Sequence, residues 1–215
     1  MPRCLIIGCG YLGEALVPLV KEAGFEVLAT SRGGAGRAER LMQIGATPVV
    51  FDASKPKALP GADCVVSAMA VDRSSGQGMR EVHVDGLAAA MRAFPTDEAP
   101  WFHVSSTSVY GQEDGSWVDE DAPCQPTDTN GEIVLEAEQT LRRQRPDASI
   151  LRFAGIYGPG RLMRTASLLA GEPMRGDPDR WLNLIHRDDG ARVLAFLAAR
   201  GEKGMLLNVA DNRPT

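Results

Sequence analysis

A chain of 215 residues, 44% hydrophobic and 24% charged, is long enough and apolar enough to bury its own core, which excludes a disordered or fibrous protein. Its net charge of −5 gives no attraction to nucleic acid or to an anionic membrane, and both are set aside as partners. No apolar run reaches the ~20 residues of a membrane helix, and Met1-Pro2-Arg3 leads straight into a strand rather than a secretory h-region. The four cysteines, Cys4, Cys9, Cys64 and Cys124, show no C-x-x-C pairing, so free thiols and a cytoplasmic location are expected.

Cys4-Leu5-Ile6-Ile7 reads as a buried strand that breaks into Gly8-Cys9-Gly10-Tyr11-Leu12-Gly13, and Leu12, Ala15, Leu16, Leu19 and Val20 follow at helical spacing. Strand, G-x-G-x-x-G and helix together predict a dinucleotide site, with the phosphates on free N–H groups at the helix start. Gly8, Gly10, Tyr11, Leu12 and Gly13 are its candidate residues. Pro18 removes one bond from this helix. Cys9 reads either as small filler or as a thiol close to a helix N-terminus.

Phe25–Thr30 is a second strand, reached through Gly24, and the βαβ order makes the two strands parallel. NAD sites carry an acid about 20 residues beyond the glycines to hold the ribose 2′-hydroxyl. Here the strand ends in Thr30-Ser31-Arg32, and no acid follows before Glu39. An arginine beside a hydroxyl suits a 2′-phosphate, with Gly33–Gly36 and Arg37 closing over it. Ser31 and Arg32 therefore favour NADP over NAD, the alternative being a solvated surface charge at Arg32.

A helix over 38–44 and a strand over 47–51 lead to Asp52, which reads equally as an adenine contact or a turn residue. Cys64–Ser67 is a fourth strand, and the small run at Ala68 and Met69 lets a cofactor lie against its end. A polar loop over 72–78 precedes one long helix over 79–94, whose His83 reads as a surface or core-edge histidine rather than a metal ligand. Trp101–Val104 is a fifth strand, opening into Ser105-Ser106-Thr107-Ser108-Val109-Tyr110-Gly111. These hydroxyls stand at the carboxyl end of a strand, where open α/β sheets bind ligands.

Together with Leu151–Arg161, which contains Tyr157-Gly158-Pro159-Gly160, and Asn183–Asp189, these motifs resemble the extended short-chain dehydrogenase/reductase family, the NAD-dependent epimerase/dehydratases. The resemblance implies an α/β fold, a Rossmann-like doubly wound parallel sheet with a small C-terminal substrate-covering region. It divides the chain into an NAD(P)-binding domain over 1–158 and a substrate region over 159–215, with 183–211 returning to the sheet. It also implies a small-molecule substrate, a sugar nucleotide among the candidates, and a homodimer formed through the helices over 79–94 and 131–144.

The family's catalytic pattern is incomplete here. Matching on Val109-Tyr110-Gly111 puts the catalytic hydroxyl at Ser106, and Ser105 beside it joins the cofactor site. Matching on Glu136-Ala137-Glu138-Gln139 puts Asn130 at the tyrosine position and Val134 at the lysine position of Y-x-x-x-K. None of the three tyrosines has a lysine four residues on. Asparagine does not titrate usefully and valine carries no charge, so the usual proton relay is missing. Ser106 and Asn130 remain as hydrogen-bond donors, and Tyr157, with Arg161 to lower its pKa, is the candidate substitute acid, the alternative being that Tyr157-Gly158-Pro159-Gly160-Arg161 is a rigid Gly-Pro loop without chemistry. The sequence thus leaves an atypical oxidoreductase beside a catalytically silent NADP(H) sensor or scaffold.

Gly131–Gln144 and Ser149–Phe153 continue the helix and strand alternation. Arg161–Leu169 reads as helical, and Arg164, Arg175 and Arg180 meet either an anionic substrate or neighbouring carboxylates. His186-Arg187-Asp188 repeats a kinase triplet, but Val193 replaces the asparagine that triplet needs. Asp188 or Asp189 is the expected N-cap of the helix ending near Arg200. Met205–Ala210 reads as a last strand, and the turn after it reads as a truncated end.

Overall fold

The computed structural model describes residues 1–72, 76–95, 98–162, 165, 169–172 and 181–215. Arg164, Arg175 and Arg180, and most of the helix expected over 161–169, lie outside them.

Seven strands form one parallel sheet: β1 (Arg3–Ile7), β2 (Glu26–Ser31), β3 (Thr47–Val50), β4 (Cys64–Ser67), β5 (Trp101–Ser106), β6 (Ser149–Phe153) and β9 (Leu206–Val209). Their spatial order is β3-β2-β1-β4-β5-β6-β9. The order reverses between β1 and β4, and a doubly wound sheet opens its ligand crevice at that reversal. A separate two-stranded sheet pairs β7 (Gly155–Tyr157) with β8 (Leu184–His186).

The central strands are continuous apolar runs because helices cover both faces. On one face α1 (Tyr11–Glu22) packs against α5 (Arg187–Arg200), burying Leu12, Leu16 and Val20 with Leu194 and Leu197. α3 (Gly86–Ala93) and α4 (Thr129–Gln144) cover the other, with Leu87, Met91, Ala137 and Leu141 buried against Leu5, Val65 and Ile150. α2 (Arg37–Gln43) joins β2 to β3 and buries Leu41. All four cysteines are free thiols, and no helix among the described residues is long and apolar enough to cross a membrane.

Three local expectations are corrected. β5 runs to Ser106 rather than Val104, because Ser105 and Ser106 continue the ladder opposite Arg152 and Phe153 of β6. The helix expected over 79–94 contains a π-helical turn at Glu81–Asp85 before α3 begins. The N-cap of α5 is neither Asp188 nor Asp189: His186 caps it, its Nδ1 accepting from the Asp188 amide at 3.3 Å. Both aspartates fall in the first turn, where their charge suits the helix dipole.

Candidate active site

A cleft of about 640 Å³ opens over the carboxyl ends of β1, β2, β4 and β5. The glycine turn forms one wall. Gly8 has φ +79°, and a Cβ there would stand 2.5 Å from the Met69 Cα, so the turn and the segment after β4 approach as only glycine permits. The turn is tied to β2: the Gly8 amide donates to Thr30 Oγ1 at 2.9 Å and the Cys9 amide to the Thr30 carbonyl at 3.1 Å. Gly13 lies under the turn, where a Cβ would come within 3.2 Å of Cys9 Sγ and Ile6. Gly10, the N-cap of α1, has no side chain to bond the helix start, which leaves the first amides to a ligand at the cleft.

Arg37 closes the outer side of the turn by donating to the Cys9 carbonyl and, at 2.5 Å, to Glu14, which Arg40 also holds at 3.0 Å. Burial works to raise the Glu14 pKa, but the two guanidiniums outweigh it and the net direction is down. Burial pushes the Cys9 thiol up to about 12 against the pull of Arg37. A thiol this hard to ionise is filler rather than a nucleophile.

At the β2 end, Ser31 and Arg32 line the cleft, and Arg32 donates to Asp72 at 2.6 Å and to Gln77 at 2.9 Å. Ala68 and Met69 form the floor between this end and β5. Asp52 is outside the lining; its carboxylate accepts from the amide and hydroxyl of Ser54 at 2.9 and 2.7 Å. These bonds are those of a turn residue.

The far wall joins the end of β5 to the start of α4. Ser105, Ser106, Ser108, Asn130, Val134 and Ala137 all line the cleft. Asp128 caps α4 by accepting from the Gly131 amide at 2.7 Å, and a Cβ on Gly131 would fall 2.3 Å from the Ser108 carbonyl oxygen. That close approach brings Asn130 beside the serines. Ser106 Oγ accepts from the Ser108 amide at 3.2 Å, leaving its proton for a ligand.

Beneath the wall, Ser105 donates to Glu138 at 2.5 Å, and Glu138 takes a two-pronged bond from Arg152 at 3.0 and 2.8 Å. Arg152 also donates to the Tyr110 hydroxyl at 2.7 Å, which passes its proton toward Asn208 at 2.9 Å. Burial opposes the Arg152 charge, but Glu138 and Tyr110 more than offset it and raise its pKa. Nothing in the sequence singled out this network.

His83 and His103 also line the cleft. Burial, aided by His83, lowers the His103 pKa to about 3, and burial lowers that of His83. His103 Nδ1 is buried without a hydrogen-bond partner. Both imidazoles are therefore neutral at pH 7, and the cleft wall carries two of them where the sequence reads only His83, as a surface or core-edge histidine. The signal that could have found His103 is its place two residues before Ser105, on the same face of β5.

Tyr157 lies away from the cleft lining. Its ring meets His186 edge-on at 5.2 Å, and Arg161 stacks on Tyr11 at 5.5 Å instead of pairing with it. The Tyr11 hydroxyl donates to the Pro159 carbonyl at 3.1 Å, and Arg187 covers the other contact with its ring at 4.9 Å.

The cleft thus offers uncapped amides along the glycine turn and polar side chains at Ser106 and Asn130. Residues 3–171 match the RmlD substrate binding domain. Protein YeeZ of Escherichia coli (strain K12) is 28% identical, the alignment covering 97% of this chain and 77% of YeeZ. A functionally unknown conserved protein from Silicibacter pomeroyi DSS is 32% identical, with a TM-score of 0.76 over 100% of this chain and 74% of that one. UDP-glucuronic acid 4-epimerase from Bacillus cereus, solved in complex with NAD, has a TM-score of 0.79 at 20% identity, covering 99% of this chain and 79% of its own, and shares the fold. A putative NAD-dependent epimerase/dehydratase from Methylobacillus flagellatus is 33% identical, with a TM-score of 0.75 over 99% of this chain and 77% of that one. The chain belongs to the RmlD substrate binding domain family and to the extended short-chain dehydrogenase/reductases of the NAD-dependent epimerase/dehydratase type.

Proposed function

We propose that the protein is an NADP(H)-binding, epimerase/dehydratase-like oxidoreductase acting on a polar small molecule of the sugar-nucleotide class. The observation that carries this is the opening of the uncapped α1 start and the Ser106 and Asn130 side of the wall into one cleft. The open space beside Gly10 and the free amides fit a pyrophosphate. Gly8, Gly10, Tyr11 and Leu12 would hold it, Ser31 and Arg32 would hold a 2′-phosphate, and Ala68, Met69 and Ser105 would border the rest. When bound, a nicotinamide supplies a site that gives or takes a hydride.

The chain's own contribution is to orient and exclude water. Ser106 has a free proton to donate to a carbonyl or hydroxyl oxygen, and the Asn130 amide can donate beside it. Neither group can carry a proton away at neutral pH, and Val134 supplies no charge, so Ser106 and Asn130 bind and orient the substrate oxygen rather than relay its proton. The UDP-glucuronic acid epimerase likeness supports the sugar-nucleotide class, and free cysteines suit a cytoplasmic setting.

The same Asn130 and Val134 favour a second reading, an NADP(H) sensor or scaffold without turnover. Anaerobic mixing of the protein with stoichiometric NADPH and a panel of UDP- and dTDP-linked keto sugars separates them. Loss of NADPH absorbance with one substrate establishes the enzyme. Saturable binding with no oxidation across the panel establishes the sensor.

A further inference from the structure

The end of β2 provides no acid for a ribose hydroxyl: Ser31 is followed by Arg32, and the next acid is Glu39. A carboxylate reaches that place from elsewhere. Asp72, which follows β4, crosses to β2 and accepts from Arg32 Nη2 at 2.6 Å, while Gln77 accepts from Arg32 Nη1 at 2.9 Å. All three line the cleft. Resting on the reading of this cleft as a dinucleotide site, we propose that Asp72 and Arg32 form an exchangeable pair that sets coenzyme choice. Asp72 is the ribose-hydroxyl acceptor for NAD(H), and it releases Arg32 to the 2′-phosphate of NADP(H).

The chemistry of the pair allows the exchange. The side chains are 40% and 50% exposed, so water screens their attraction and opening this ion pair costs little. A 2′-phosphate brings more charge than a carboxylate and suits the guanidinium fork. Asp72, left close to that phosphate, repels it, as like charges do. With a 2′-hydroxyl instead, Asp72 keeps Arg32 and accepts a hydrogen bond, the role an Asp or Glu has in NAD sites. A carboxylate placed in this way weakens NADP(H) and strengthens NAD(H). Removing its charge must therefore move the two coenzymes in opposite directions, which a surface ion pair without a ligand role would not do.

The test is calorimetric titration of wild type, Asp72→Asn, Asp72→Ser and Arg32→Ala with NADPH and NADH, and with 2′,5′-ADP and ADP as fragments. Both Asp72 variants are expected to raise the NADPH-to-NADH affinity ratio about tenfold, tightening NADPH and weakening NADH, with the fragments following the same order. Arg32→Ala is expected to lower that ratio below the wild-type value. An unchanged ratio in both Asp72 variants, with each coenzyme still bound, overturns the pair and leaves the dinucleotide reading intact. Wild-type protein that binds neither coenzyme nor fragment overturns that reading and the pair with it.

Discussion

Ser105 donates a 2.5 Å hydrogen bond to Glu138, and this contact ties the strand end that bears Ser106 to the helix that bears Asn130. Glu138 and Arg152 are 3% and 6% exposed at their side chains, so water does not screen the ion pair beneath it. Breaking such a pair leaves an uncompensated buried charge. Glu138→Ala is expected to destabilise the fold by about 3 to 5 kcal/mol in urea unfolding followed by circular dichroism. Glu138→Leu with Arg152→Met should recover most of that loss, since it leaves neither charge behind. A cost for Glu138→Ala below about 1 kcal/mol, the level of a surface pair, would contradict the role given to the network.

His103 ties stability to pH. Its folded pKa, about 3, lies below the ordinary histidine value of 6.5, so the unfolded chain binds the proton more readily. The stability it contributes is fully present above about pH 6.5 and is lost as pH falls toward 3. His103→Phe should remove that dependence. The variant is expected to gain on wild type by several kcal/mol between pH 7 and pH 4, measured by denaturant midpoints at each pH. Parallel stability curves for the two proteins would contradict it.

Glu14 acts through Arg37. With Glu14→Gln the charge that holds Arg37 against the Cys9 carbonyl is lost, and NADPH affinity is expected to fall a few-fold while stability changes by less than about 1 kcal/mol. The folded Glu14 pKa is lowered, so its share of stability is present above the ordinary glutamate range and is lost as pH falls through the lowered value. Titration of NADPH at pH 7 checks the first part; an affinity equal to wild type would show that Arg37 holds the turn without Glu14.

Ser106→Ala and Asn130→Ala test the polar wall. Each is expected to lower kcat by about a hundredfold to a thousandfold on the substrate that oxidises NADPH, as the loss of one preorganised donor does, with NADPH binding unchanged. Wild-type turnover in both variants would remove Ser106 and Asn130 from the site.

The glycine turn and the serines at the end of β5 were legible because each rests on a few consecutive residues with a strict local pattern, and the doubly wound sheet followed from the family resemblance those motifs carry. Contacts between distant segments were not legible. Asp72 meets Arg32 across 40 residues, and neither the polar loop after β4 nor the charge at β2 announces the other. Glu138 was read only as a marker for matching the helix, although its burial against Arg152 and Ser105 ties two elements together. The spacing of Tyr157 and Arg161 in one motif predicted a pair, but the turn at Gly158 to Arg161 sends the arginine to Tyr11. A helical period also cannot reveal the π-turn at Glu81–Asp85, since the apolar stripe continues through it.

The central claim is that the cleft binds a nicotinamide dinucleotide. Isothermal titration of the purified wild-type chain with NADPH tests it most directly. One saturable equivalent, with Gly10→Asp abolishing the heat by placing a carboxylate at the α1 start, is the predicted result. No saturable binding up to about 1 mM, an affinity weaker than roughly 4 kcal/mol, would contradict it.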